Sequence, residues 1–146
     1  MSEPSVGSPR LHLRRVDSTN ARARELAADR VGLLGTRGVM EDDFYRERLA
    51  SRWGIQTVVP EAADRDLVDR VIFDELTLGR VEPASRVDYQ RIIGQLAERG
   101  AQAVVLACTE IGLLIGPGDS VLPLIDSAWV HAMAGVDLAV TSRIGT

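Results

Sequence analysis

Hydrophobic and polar positions follow two different periods along the chain. The clearest short apolar run covers residues 103–107, contains two adjacent valines and ends at Cys108, the only cysteine of the sequence. Four to six apolar residues of this kind favour a strand that is buried on both faces, as in a parallel sheet. Similar short runs at 31–35, 56–59 and 121–125 predict three further strands.

Stretches with helical spacing separate these runs. Acidic residues begin the stretch after the first strand and arginines end it, as a helix dipole favours. Gly79 and Gly100 predict the ends of two later helices, and Pro83 predicts the start of one. The predicted helices cover residues 21–28, 41–52, 64–78, 83–99 and 127–140. Alternation of strands and helices predicts an α/β fold, a mostly parallel four-stranded sheet between helices in three layers.

Composition limits the classes of function. The sequence has 17 basic and 21 acidic side chains, a net charge of −4, so nothing indicates nucleic-acid binding. One cysteine excludes an internal disulfide framework, and no Cys/His cluster suggests a metal site. The first nine residues lack the apolar core of a signal peptide, and no apolar run approaches the roughly 20 residues of a membrane span. We therefore expect a cytoplasmic protein without a membrane partner.

Cys108 is the candidate for chemistry. It follows a predicted buried strand at the carboxyl end, where open α/β sheets bind their ligands. Thr109 and Glu110 then open the next turn or helix, whose N–H groups favour a thiolate. The alternative is a small buried hydrophobe, since free cysteine is commonly a core residue.

The segment Ala-Cys-Thr-Glu-Ile-Gly-Leu-Leu at 107–114 resembles the second thiol motif of the aspartate/glutamate racemase family. Four more segments agree in order and spacing with the C-terminal half of such a racemase, over about 31–140. The resemblance implies a single lobe of that fold. It also implies cofactor-independent inversion of an amino acid's α-carbon by two cysteines. The other matching segments are VGLLGT at 31–36, MEDDFY at 40–45, IFDEL at 72–76 and VLPLID at 121–126.

The resemblance implies roles for four residues. Cys108 would be one of two acid–base groups on opposite faces of the α-carbon. Thr109 would bind a substrate carboxylate, or else cap the next turn. Glu110 stands where glutamate racemases have histidine, which indicates the aspartate-type branch or its broader-specificity relatives. It would orient the thiol or hold the substrate ammonium, or else be a solvated carboxylate. Thr36 would lie near the active site.

Four other residues have simpler expected roles. Arg37 would neutralise a substrate side-chain carboxylate or be an exposed arginine. Val39 replaces a threonine of the family pattern, so it removes a hydroxyl from the loop. Asp126 follows the last predicted strand, where capping the next helix is its simplest role. His131 is expected to be structural rather than catalytic.

Four segments are predicted along the chain: a disordered leader at 1–10, an extension at 11–30, a racemase C-terminal lobe at 31–141 and a tail at 142–146. The extension, with Ser-Thr-Asn at 18–20, resembles the opening of a biotin protein ligase. That family's adenylate-binding loop and catalytic lysine segment have no counterpart here, so ligase activity is not expected.

Two hypotheses of function remain open. In the first, the chain is the C-terminal lobe of a cofactor-independent amino-acid racemase. Because the sequence has no second cysteine, the second acid–base group would come from a homodimer or from a complementary N-terminal racemase lobe. In the second, the chain is a catalytically inactive remnant or a binding domain. An amino acid is the expected small-molecule ligand, with neither metal nor cofactor.

Overall fold

The computed structural model describes residues 28–126, without the side chains at positions 52 and 53. These residues form a four-stranded sheet of order β2-β1-β3-β4, in which all three strand pairings are parallel. Helices flank the sheet, which confirms the predicted α/β class. The strands are β1 (Arg30–Leu34), β2 (Gln56–Val58), β3 (Ala103–Leu106) and β4 (Leu124–Asp126).

The helices differ in two places from those predicted. The helix predicted at 41–52 begins at Asp43, and a separate short helix that was not predicted precedes it at Arg37–Glu41. Asp42 has an extended backbone between the two, and its side chain caps the second by accepting from the Phe44 N–H at 2.8 Å. The predicted helix 64–78 ends at Asp74 and is followed by a 3₁₀ turn at Leu76–Leu78. The helices are α1 (Arg37–Glu41), α2 (Asp43–Trp53), α3 (Ala62–Asp74), α4 (Pro83–Glu98) and α5 (Ile111–Leu114), and a second 3₁₀ turn covers Pro117–Asp119.

Left-handed glycines end several elements, as predicted for Gly79 and Gly100. Gly54 follows α2 with φ of 65°, and Gly79 follows the first 3₁₀ turn with φ of 74°. Gly100, after α4, has φ of 93°. A β-carbon at Gly100 would also lie 2.8 Å from Arg30 Nη1. The backbone angle favours glycine here, while the guanidinium is the end of a flexible side chain that can move aside.

The two central strands are buried on both faces. On one face, Val104 and Leu106 of β3 pack in a cluster with apolar residues of α3 and α4. On the other face, Ala103 and Val105 pack in a cluster that includes Leu49 of α2. Alternate side chains of one strand thus enter opposite layers, which confirms the prediction from the apolar run at 103–107.

Several predictions lie outside the described residues. These are the leader at 1–10, residues 11–27, the last predicted helix at 127–140 with His131, and the tail at 142–146. The predicted segment boundaries therefore stay predictions. Between residues 28 and 126, no helix is long and apolar enough to cross a membrane.

Candidate active site

The candidate site lies at the carboxyl edge of the sheet. Cys108 comes two residues after the end of β3, and the loop that begins at Gly35 leaves β1 at the same edge. The Ala107 N–H donates to the Leu34 carbonyl at 2.7 Å, so the chain stays bonded to β1 as it approaches the cysteine. A β-carbon at Gly35 would be 3.4 Å from the Ala107 carbonyl oxygen, which shows how closely the two strand exits pack.

Three of the predicted site residues form one hydrogen-bonded group. The half-buried Cys108 thiol donates to Glu110 Oε2 at 3.0 Å. The exposed Thr109 hydroxyl donates to the same oxygen at 2.6 Å. The Glu110 carboxylate therefore fixes the thiol and occupies the hydroxyl that was predicted to contact a substrate or cap the turn.

The electrostatic environment favours the neutral thiol. Burial, and then the hydrogen bond to the Glu110 carboxylate, raise the pKa of Cys108 to about 11. The backbone N–H groups of Glu110 and Ile111 act in the opposite direction, as expected at the start of a helix, but they are outweighed. The hydrogen bonds from Cys108 and Thr109 lower the pKa of Glu110, which stays a carboxylate.

A buried tyrosine shares this environment. Tyr89 of α4 is fully buried, and its hydroxyl donates to the Val68 carbonyl at 3.0 Å. Burial raises the pKa of Tyr89 strongly, and negative charge on Cys108, Glu75 and Asp69 adds to the effect. The sequence analysis missed Tyr89, because its position on the apolar face of a helix is typical of an ordinary core residue.

Thr36 lies at the carboxyl end of β1 and begins α1. Its hydroxyl oxygen accepts from the Val39 N–H at 3.4 Å, so the side chain serves as the helix cap. The Arg37 N–H donates to Asp69 Oδ1 at 2.7 Å, and the Arg37 guanidinium forms an ion pair with Asp66. Arg37 is thus a partly exposed arginine engaged with α3.

Asp126 ends β4 and pairs in register with Leu106. Its carboxylate lies against the first turn of α5, where a β-carbon at Gly112 would be only 2.5 Å from Asp126 Oδ2. Sequence reasoning placed Asp126 at the carboxyl edge but missed this contact, which joins residues from two different elements. The helix that Asp126 was expected to cap lies outside the described residues.

The described part of the chain offers no metal centre built from side chains. Within residues 28–126, no group of three or more histidine, cysteine, aspartate or glutamate side chains could hold a metal ion.

A thiol at the carboxyl edge of a parallel α/β sheet agrees with what sequence comparison finds. The family model described as Asp/Glu/Hydantoin racemase matches residues 12–135, so the chain belongs to this family. The match begins inside the segment 11–30 that was predicted to be an extension, and the resemblance of that segment to a biotin protein ligase stays untested.

The chain is also similar to solved structures. A protein from Yersinia pestis assigned as an Asp/Glu racemase is 39% identical with a TM-score of 0.77, over 85% of this chain and 55% of its own. An aspartate racemase homologue from Pyrococcus horikoshii OT3 is 29% identical with a TM-score of 0.76, over 88% and 55% of the two chains. An aspartate racemase from Picrophilus torridus shares the fold at 22% identity, with a TM-score of 0.63, over 88% and 52%. The chain thus spans about half the length of these proteins.

Proposed function

We propose that the protein takes part in cofactor-independent racemisation of an amino acid of the aspartate/glutamate type, or of broader specificity. Cys108 is the proposed acid–base group. The observation that carries this proposal is the half-buried thiol at the carboxyl end of β3, held by Glu110 at 3.0 Å. Membership of the racemase family supports the reaction class.

The proposed reaction is a pair of proton transfers at the α-carbon. One group removes the α-proton and leaves the electron pair on the carbon, stabilised by the adjacent carboxyl group. A second group delivers a proton from the opposite face, and the configuration inverts. Because its pKa is raised to about 11, Cys108 fits the proton-donating role directly. To act as the base it must first lose its proton, which the positive charge of a bound substrate ammonium would favour.

We propose that the second acid–base group comes from outside this sequence, since the resemblance to the racemases implies two cysteines and the sequence contains one. We propose either a second copy, which would bring two Cys108 side chains to one substrate, or a complementary N-terminal racemase lobe. In both cases residues 31–141 act as the lobe that supplies Cys108.

Glu110 is the proposed positioning residue for the thiol, since it accepts from both Cys108 and Thr109. The substrate contacts that we assign to Thr109 and Thr36 would use atoms that are not already bonded. Thr109 offers its backbone N–H. Thr36 offers the donor side of its hydroxyl, because only the oxygen's acceptor side is used by the Val39 N–H.

The alternative is a domain that binds an amino acid and does not catalyse its racemisation. Two features favour it: the single cysteine, and surroundings that raise the pKa of the Cys108 thiol to about 11 and so disfavour the thiolate. Such a protein would keep the site's shape and its Glu110 contact, and it would lack a working base.

Exchange of the α-proton tests the proposal. The full chain is incubated in deuterated water with L-aspartate, L-glutamate and several neutral amino acids, and deuterium incorporation is measured by NMR and configuration by chiral chromatography. Cys108→Ala and Cys108→Ser are the control variants. Exchange that both variants abolish supports the role of Cys108, and inversion in addition supports a second base.

Absence of exchange at every substrate, in a folded protein, contradicts racemisation by this chain. In that case a calorimetric titration with the same amino acids decides for or against the binding domain. Exchange that persists in Cys108→Ala would show that another group removes the proton.

A further inference from the structure

The contact between Gly112 and Asp126 joins the turn that carries the thiol to the neighbouring strand. Asp126 Oδ2 lies where a β-carbon of residue 112 would stand, at 2.5 Å from that point. Real side chains essentially never approach so closely, so residue 112 has to be glycine while the carboxylate occupies this place. Gly112 is the second residue of α5, four positions after Cys108.

Helix α5 has few means of fixing its own first turn. It has only four residues, and Glu110 at its N-cap makes no side-chain capping hydrogen bond. The Glu110 carboxylate is instead occupied by Cys108 and Thr109. At the other end, Arg86 Nε donates to the Leu114 carbonyl at 2.8 Å. The amino-terminal end of α5 therefore depends on its packing.

That packing is different on the two sides of the helix. Ile111 and Leu114 are buried in the core, while Gly112 lies on the exposed side, where it meets the Asp126 carboxylate. The backbone N–H groups of Glu110 and Ile111 in the same turn act to lower the pKa of Cys108, so they favour its thiolate. A small rotation of the turn would thus change how these groups interact with a thiolate.

We propose that Asp126 is a positioning residue of the thiol turn: its carboxylate, carried there by β4, packs against Gly112 and holds the Glu110 and Ile111 N–H groups on the Cys108 sulfur. The inference rests on the proposed role of Cys108 in catalysis. It does not place Asp126 in contact with the substrate.

Two other side chains affect the thiol directly, so they are left unsubstituted in every variant of the test. Glu110 contacts the sulfur directly, and Tyr89 of α4 is coupled to it by charge. Glu75 and Asp69 act in turn on Tyr89. None of these four residues is changed in the variants below, so differences between the variants report on Asp126 and Gly112.

The measurement is the rate of Cys108 alkylation by iodoacetamide, a neutral reagent, as a function of pH in the full chain. Asp126→Ala removes the carboxylate and loosens the turn, so the N–H groups stabilise the thiolate less. We expect the midpoint of the profile to move to higher pH and the rate below the midpoint to fall about threefold to tenfold. Asp126→Asn keeps the shape of the side chain and should retain a profile close to that of the unchanged protein.

Substitution of Gly112, alone and together with Asp126, completes a double-mutant cycle. Gly112→Ala should slow alkylation as Asp126→Ala does, because the methyl group displaces the carboxylate. In Gly112→Ala/Asp126→Ala the steric conflict is gone, so the double variant should be no slower than Asp126→Ala alone. Gly118→Ala is the matched control, since a β-carbon there meets nothing within 4 Å.

A positioning role and a purely electrostatic role of Asp126 predict opposite shifts of the midpoint of the alkylation profile. If Asp126 acted on the thiol only as a negative charge, both Asp126→Ala and Asp126→Asn would move the midpoint to lower pH, and the proposal would be wrong. Unchanged profiles in both, or additive effects in the cycle, would also overturn it. Should Gly112→Ala not fold, the comparison of the two Asp126 variants still decides. Alkylation needs no substrate, so this result is independent of whether α-proton exchange is found.

Discussion

Glu110 Oε2 accepts the Cys108 thiol at 3.0 Å and the Thr109 hydroxyl at 2.6 Å. One carboxylate oxygen therefore links the three consecutive residues 108–110, which begin two positions after the end of β3. The arrangement stabilises the neutral thiol against the thiolate, since an anionic acceptor beside the sulfur disfavours a second negative charge. Glu110 should thus suppress the reactivity of Cys108 in addition to burial, which is the larger cause of the raised pKa.

Glu110→Gln should lower the pKa of the Cys108 thiol. The substitution removes the negative charge and leaves the burial that is the larger cause of the shift, so the pKa should fall from about 11 without reaching its ordinary value. The measurement is the pH dependence of iodoacetamide alkylation. Glu47→Gln, at an exposed position of α2, is the control and should leave the profile unchanged. A profile that moves to higher pH would show that Glu110 activates the thiol instead.

The fold should lose stability at alkaline pH. The folded state raises the pKa of Cys108 from 9.0 to about 11 and also raises that of Tyr89. Above about pH 9 the unfolded chain loses the thiol proton while the folded chain keeps it, so the folded state binds more protons and the free energy of unfolding falls as pH rises. Below pH 9 neither group should make the free energy of unfolding depend on pH.

Urea unfolding between pH 7 and pH 11 measures this slope, with pH steps chosen around the ordinary thiol pKa of 9.0. Cys108→Ala should reduce the slope above pH 9, and Tyr89→Phe should reduce it further at the upper end. A slope that stays the same in both variants would mean that other groups cause the alkaline loss.

Two glycine substitutions should have opposite effects on stability. Gly100→Ala places a side chain at φ of 93°, a backbone angle that residues other than glycine rarely adopt, so it should cost about 1–3 kcal/mol of unfolding free energy. Gly94 lies inside α4 with nothing within 4 Å of an added β-carbon. Gly94→Ala should stabilise the protein by about 0.5–1 kcal/mol, because alanine is the better helix former. Thermal unfolding followed by circular dichroism compares the two, and a loss of stability in Gly94→Ala would contradict the open space seen there.

Much of the fold could be predicted from local patterns. The run at 103–107 predicts a doubly buried strand because both of its faces have to be apolar, and the clusters around Val104 and Val105 confirm this. Gly79 and Gly100 could be recognised as helix or turn ends because a left-handed residue favours glycine whatever surrounds it. The short helix Arg37–Glu41 was missed, since it has only five residues and its start depends on the Thr36 side-chain cap, which accepts from the Val39 N–H.

The candidate site was predictable in its position and only partly in its contacts. The strand end at Cys108 and the start of a helix after Glu110 follow from neighbouring residues in the sequence. The sign of the thiol's pKa shift does not, because it depends on burial and on the direction in which the Glu110 carboxylate points. Tyr89 and Gly112 could not be assigned, since their significance lies in side chains that other elements bring to them.

The loop that leaves β1 should depend on Asp69 far more than on Asp66. Both are on α3 and both contact Arg37, but Asp69 accepts the backbone N–H at 2.7 Å while Asp66 pairs with the guanidinium at an exposed position. Asp69→Ala leaves a backbone donor at the start of α1 without its acceptor and should cost about 1–2 kcal/mol. Asp66→Ala removes an exposed ion pair, which is worth less than about 1 kcal/mol.

Urea unfolding at pH 7 and at two salt concentrations separates the two contacts. The effect of Asp66→Ala should shrink at high salt because its ion pair is screened. The effect of Asp69→Ala should persist, since a hydrogen bond to the backbone at a half-buried carboxylate is screened less. Because the same loop carries Thr36 to the edge beside Cys108, Asp69→Ala should also weaken any α-proton exchange more than Asp66→Ala does. Equal effects of the two variants on stability would show that the backbone contact contributes nothing beyond the ion pair.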